Sequence, residues 1–166
     1  MEDRLTTYYH SPLGLIRVSG TRQYITEVHF MEEAEAAAAP QAVAMGPLLI
    51  QCVEELIQYF NGQRRHFEVP VLQNGSEFQR RVWTELSSIS YGKTISYLDL
   101  ARRLGDPKVI RAAAAANGKN NIAIIVPCHR VIGSNQQLVG YASGLWRKKW
   151  LLQHEAKQAH GIQTLF

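Results

Sequence analysis

Cysteine is almost missing from this chain, with Cys52 and Cys128 the only two in 166 residues. So few thiols exclude a disulfide-stapled fold. Cys128 and His129 are neighbours, which is not the spacing of a zinc site, and no metal is expected. Long apolar runs are lacking too, since none approaches the roughly 18 residues of a membrane span. The opening Met1-Glu-Asp-Arg-Leu5 has neither the basic nor the apolar part of a secretion leader, so a reducing cytoplasm is expected. Acidic residues are scarce in one half only. Residues 76–166 hold five Asp/Glu against thirteen Lys/Arg, net +8, whereas residues 1–75 hold nine against five, net −4. A half this basic predicts a polyanionic partner, with nucleic acid the leading candidate.

What is present suffices for a core: 46% of residues are hydrophobic, enough for one domain or two small lobes. In the first half, Leu15–Ser19 and Tyr24–Phe30 alternate like short strands, and Ser11-Pro-Leu-Gly14 marks a turn before them. Pro47–Phe60 predicts a helix between an N1 proline and the Asn61-Gly62 stop, with Leu48, Leu49, Cys52, Val53, Leu56, Ile57 and Phe60 on one face. Cys52 thus reads as packing. The Ala- and Glu-rich stretch 32–44 is a weak helix or a connection, and residues 63–75 read as a linker. The boundary is expected between 1–70 and 71–166.

The second half reads as helical. Ser76-Glu-Phe-Gln79 is a capping box leading into Phe78, Val82, Leu86 and Ile89. Ser96 can cap a short helix ending at Gly105, and Asp106-Pro107 opens another that runs to about Ala116. Two short helices about a glycine turn are a helix-turn-helix candidate. The second is alanine-rich and slim, with Arg111 its one long side chain between Ile110 and Asn117. Beyond it, the apolar run Ile122–Val126 reads as a buried strand delivering Pro127-Cys128-His129-Arg130. A proline followed by polar residues poorly fits a core position for Cys128, and imidazole and guanidinium neighbours can hold a thiolate near neutral pH. Cys128 therefore reads as a nucleophile.

Phe78-Gln79, Val82-Trp83, Tyr91-Gly92, Ser96-Tyr97, Arg111-Ala112, Asn117-Gly118, Asn120, Pro127–Gly133, Gly140-Tyr141, Gly144-Leu145, Lys148 and Leu151–Glu155 together resemble the O6-alkylguanine-DNA alkyltransferases. The likeness is in register over about 76–155 and loose before residue 70. It implies an α/β (α+β) fold: an N-terminal ribonuclease-H-like lobe with a small antiparallel sheet and helix, and a mainly helical, winged helix-turn-helix-like C-terminal domain. It also implies direct repair of double-stranded DNA entered from the minor groove by a monomer, with no cofactor. Chemistry on a stacked base requires its extrusion. By the resemblance, Arg111 replaces the extruded base, and Ser96, Lys108, Ala112 and Ala114 meet the DNA. Cys128 takes the alkyl group once and irreversibly. His129 is its base through a water, Glu155 orients His129, Tyr97 donates to the leaving guanine, and Asn120 braces the turn. The carbonyls of Cys128 and Val131 accept from the exocyclic amine, and Tyr141, Ala142 and Ser143 line the pocket. Ala114 and Ser143 stand where relatives commonly carry glycine. A non-catalytic binder of alkylated DNA, a helix-turn-helix regulator and a cysteine hydrolase are the alternatives.

Overall fold

The computed structural model describes residues 3–40 and 45–161, which form two compact units. The first comprises Met1–Gln73 and Asn121–Ile125, the second Asn74–Asn120 and Val126–Phe166.

In the first unit, β1 (Leu5–Ser11), β2 (Gly14–Gly20) and β3 (Ile25–Phe30) form an antiparallel sheet in that order. Thr7, Val18 and Val28 align across it, as do Ile16 and Phe30, and these five are buried. Their period of two gives the sheet one apolar face. The opposite face is polar: Arg17 on β2 donates to Glu27 on β3 at 2.8 Å. The helix α1 (Glu33–Ala37) is a single short turn capped by Glu32. Residues 41–44 of the expected weak helix lie outside the described residues.

The helix α2 (Pro47–Phe60) packs on the sheet through Leu49, Cys52, Leu56, Tyr59 and Phe60. The expected face is off by one residue pair: Ile57 is exposed and Glu55 is buried. The Glu55 carboxylate accepts from the backbone N–H of Glu68 and from Gln51, both at 2.8 Å. It thereby fastens the segment expected to be a linker. That segment runs on beside β3, where Val71 bridges Ile25 and the Leu72 N–H donates to the Ile25 carbonyl.

Ile122 reaches the same free edge of β3 farther along, with Val28 donating to the Asn121 carbonyl and Ala123 to the Val28 carbonyl. The expected strand over 122–126 is reduced to this one bridge. Ile124 then turns into the left-handed region at φ 70. An apolar run of five reports burial, and a buried turn satisfies that as well as a strand does. A β-branched residue at positive φ is strained, and with Ile124 only 1% exposed, packing must hold it there.

In the second unit, α3 (Glu77–Ser87) begins at the Ser76 capping box, as expected. Two-residue strands β4 (Ile95–Ser96) and β5 (Val131–Ile132) pair in parallel. Ser96 caps α4 (Tyr97–Arg103), which ends before Gly105 at φ 99, a conformation glycine adopts without a Cβ clash. A 3-10 turn at Pro107–Val109 leads into α5 (Ile110–Gly118). This helix runs through Asn117 rather than stopping before it. Both α3 and α4 pack on α5, and the Trp83 indole N–H donates to the Ala116 carbonyl at 2.9 Å. Last comes α6 (Leu145–His160), whose buried side carries Lys148, Leu151, Leu152, Glu155 and Ala156. No helix among the described residues is long and apolar enough to cross a membrane.

Candidate active site

Cys128 lies in a 3-10 turn, Cys128–Arg130, directly before β5. Cys128 and His129 are thus turn residues rather than alternating residues of an extended chain. The turn is braced from α5: the Asn120 amide donates to the Val126 carbonyl at 2.9 Å and the Asn117 amide to the Cys128 carbonyl at 3.4 Å.

His129 and Glu155 are 0% and 1% exposed, and His129 Nε2 lies 2.7 Å from Glu155 Oε2. Arg130 closes the cluster from the other side: its Nε donates to Glu155 Oε1 at 2.8 Å and its Nη1 to the Ile89 carbonyl at 2.6 Å. Burial pushes the Glu155 carboxyl up, but His129 and Arg130 outweigh it and hold the pKa far below the usual carboxylate range. The carboxylate is therefore ionised and can only accept. His129 Nε2 carries the proton, and Nδ1, buried and without a partner among the described residues, offers a lone pair. Burial lowers the His129 pKa, with Glu155 opposing, so this neutral form persists through neutral pH.

Two expectations about the thiol are corrected. Cys128 is only 7% exposed, and burial raises its pKa, against hydrogen bonding from Asn120 and the charge of Lys148. The Arg130 guanidinium is spent on Glu155 and Ile89 rather than on the sulfur. In the free protein the resting form is the thiol. Labelling by iodoacetamide should therefore be slow at pH 7 and accelerate as pH rises past 9, because the thiolate is gained upward through a raised pKa. Cys52, pushed by burial to about 12, should label after Cys128. Peptide mapping along a pH series checks both, and fast labelling of Cys128 at pH 6 would contradict the burial argument.

Beside this turn opens a cavity of about 680 Å³ lined by Tyr97, Arg111, Ala114, Asn117, Tyr141 and Ala142 among others. That is a usual size for a small-molecule site. Tyr97 and Tyr141 both sense Cys128 electrostatically, and burial, first of all, raises both hydroxyls. The Tyr97 hydroxyl donates to the carbonyls of Val139 and Gly140 at 3.2 and 3.3 Å. Arg111 and Ala112 are exposed on α5, Lys108 is exposed ahead of it, and Ser96 is half-buried in its capping role. Half-buried Ser143 gives its carbonyl to Arg147 at 2.9 Å.

One residue was underread in the sequence. Lys148 is fully buried, and its ammonium donates to the carbonyls of Val131 at 2.6 Å and Val139 at 2.7 Å. Burial lowers its pKa to about 8, with Cys128 opposing. Its place at the i−3, i−4 and i−7 positions from Leu151, Leu152 and Glu155 was the available signal, hidden by the run Arg147-Lys148-Lys149. Among the described residues no cluster of three or more His, Cys, Asp or Glu could hold a metal ion.

Two family models match in tandem. Residues 5–73 match the ribonuclease-like domain of 6-O-methylguanine DNA methyltransferase, and residues 77–157 match its DNA-binding domain. The chain belongs to the 6-O-methylguanine DNA methyltransferase family. Among curated members it is 40% identical to the methylated-DNA--protein-cysteine methyltransferase of Mycolicibacterium paratuberculosis, over 94% of each chain. It is 41% identical to that of Methanosarcina acetivorans, over 89% of this chain and 95% of the other. Among solved structures, the O6-methylguanine methyltransferase of Mycobacterium tuberculosis superposes with a TM-score of 0.81 at 36% identity, covering 96% of this chain and 97% of the other. The same organism's OGT in complex with DNA gives 0.81 at 38% identity, over 92% of each chain. The methyltransferase family thus accounts for both units.

Proposed function

We propose that this protein repairs DNA directly, moving the alkyl group of O6-alkylguanine, and of O4-alkylthymine, onto Cys128 in a single irreversible turnover. The observation that carries this reading is the Cys128 thiol in a turn whose carbonyl is held by the cavity residue Asn117, next in the chain to an imidazole whose Nδ1 is left as a base. The thiol proton passes to His129 Nδ1 through a water, relieving the penalty that burial sets on the thiolate. Sulfur then attacks the alkyl carbon in line, the carbon–oxygen bond breaks toward guanine, and the proton ends on the guanine ring. Glu155 holds His129 in the correct tautomer. Tyr97 exchanges a backbone carbonyl for the leaving base, and Asn120 fixes the turn. Since a thioether has no easy route back, each molecule acts once.

The basic second half approaches duplex DNA from the minor groove as a monomer, in the cytoplasm. Arg111, exposed at the cavity rim, takes the place of the extruded base, and Ser96, Lys108, Ala112 and Ala114 lie along the DNA. Val131, Tyr141, Ala142 and Ser143 surround the lesion. The relatives' name, methylated-DNA--protein-cysteine methyltransferase, supports this reading.

The decisive experiment mixes the protein with a duplex bearing one O6-methylguanine and maps it by mass spectrometry. One methylene of added mass on the Cys128 peptide, saturating at one equivalent, is expected. Cys128→Ala should abolish it while still binding the duplex. Repeated turnover, or unmodified Cys128 beside repaired DNA, would defeat the proposal.

A further inference from the structure

The polar groups in the cavity wall and in the reactive turn beside it are unevenly satisfied. The Val131 carbonyl, which the resemblance makes an acceptor for the base, already takes a charged donor from Lys148 at 2.6 Å. The Cys128 carbonyl takes the Asn117 amide N–H at 3.4 Å. Tyr97 donates to Val139 and Gly140. Asn117 differs from all of these. It lines the cavity yet is only 3% exposed, and its Oδ1 has no partner among the described residues. The orientation of that amide is settled by chemistry: a carbonyl cannot donate, so the group facing Cys128 must be the Nδ2. The Oδ1 is left as a buried acceptor without a donor, a costly state that a ligand N–H would relieve. His129 Nδ1 and the Tyr141 hydroxyl are also partnerless among the described residues, but the transfer chemistry uses the first, and the second can donate as well as accept and so does not discriminate. Asn117 has no such employment.

We propose that Asn117 reads the base itself, its Oδ1 accepting a hydrogen bond from the exocyclic amine of O6-alkylguanine, so that the site favours guanine lesions over O4-alkylthymine. This rests on the cavity being the lesion pocket. At the corresponding ring position thymine carries a carbonyl oxygen, which would set acceptor against acceptor. The buried Oδ1 therefore rewards the guanine amine and also repels its pyrimidine counterpart.

The test compares single-turnover rates, read as methyl on Cys128, for duplexes carrying O6-methylguanine, O6-methylhypoxanthine or O4-methylthymine. Methylhypoxanthine keeps the purine ring and the reacting carbon but lacks the amine. The wild-type protein is expected to react about tenfold or more faster with methylguanine than with methylhypoxanthine, the effect of one hydrogen bond to a buried acceptor. In Asn117→Leu that ratio should fall toward one, because the methylguanine rate loses the amine contact on top of whatever loss the missing brace on the Cys128 carbonyl imposes on all three substrates alike. A purely structural role for Asn117 would lower all rates by one factor and leave the ratio intact, which overturns the proposal. So does a wild-type ratio near one, a readout that needs no variant to fold. Transfer from none of the three would overturn the alkyl-transfer reading itself, and this inference with it.

Discussion

Replacing Glu155 by leucine should be among the most damaging single changes in the chain, costing about 3–5 kcal/mol of stability and nearly all methyl transfer. The carboxylate is 1% exposed and holds two groups at once, His129 at 2.7 Å and Arg130 at 2.8 Å. Leucine restores the volume but strands a buried guanidinium, whose remaining contacts are the Ile89 carbonyl and the ring of Tyr91. It also frees the imidazole to turn over or take the other tautomer, so Nδ1 ceases to be the defined base. Urea unfolding of wild type and variant measures the first effect, and Cys128 methylation the second. The pH dependence gives a further check. The folded Glu155 pKa lies far below its ordinary value of 4.5, so its stabilisation is complete above that value and is lost as pH falls below it. Glu155→Leu should flatten that acid limb. A variant within about 1 kcal/mol of wild type would refute the account of a buried carboxylate shared by an imidazole N–H and a guanidinium.

Lys148→Met should separate stability from activity. Two terms oppose each other in stability. The ammonium is buried at a cost visible in its pKa of about 8, while its hydrogen bonds to Val131 and Val139 would be lost. Replacing a buried charge by an apolar side chain of similar length often leaves stability little changed. The ordering of the segment around Gly140 has no such compensation. Lys148 ties the Val139 carbonyl to β5, Tyr97 donates to the same carbonyl, and Tyr141 and Ala142 follow directly in the cavity wall. Methyl transfer is expected to drop tenfold or more, while the thermal midpoint stays within about 2–4 °C, the shift of roughly 1 kcal/mol in a chain of this size. Between pH 8 and 10.5 the unfolded chain binds a proton that the folded chain does not. Wild type should therefore gain stability relative to the variant as pH climbs through that window. Unchanged transfer would show the strap to be dispensable.

What could be read from the sequence followed chemical punctuation. The capping boxes at Ser76 and Ser96 and the turn at Gly105 are local devices, and each lies where its residues indicated. The sheet of the first unit was legible in β2 and β3. The strand β1, Leu-Thr-Thr-Tyr-Tyr-His-Ser, went unassigned although β-branched and aromatic residues fill it. Burial was harder to read than secondary structure. Lys148 and Glu155 look solvated in a basic helix and are core, and Cys128 looks exposed and is covered. Such outcomes depend on carbonyls and partners brought from elsewhere in the chain, which no local window contains. The same holds for Ile122–Val126, which meets Val28 of β3 in a single bridge before it turns at Ile124.

That short detour between Asn120 and Val126 has a consequence for modularity. Five residues adjoining the reactive loop, with Ile122 and Ile124 at 0% and 1% exposure, belong to the first unit's core. A fragment beginning at residue 74 would carry this greasy patch bare, with no sheet edge to receive it. The acidic half is thus no detachable ornament: it shelters the strand of chain that leads straight into the warhead.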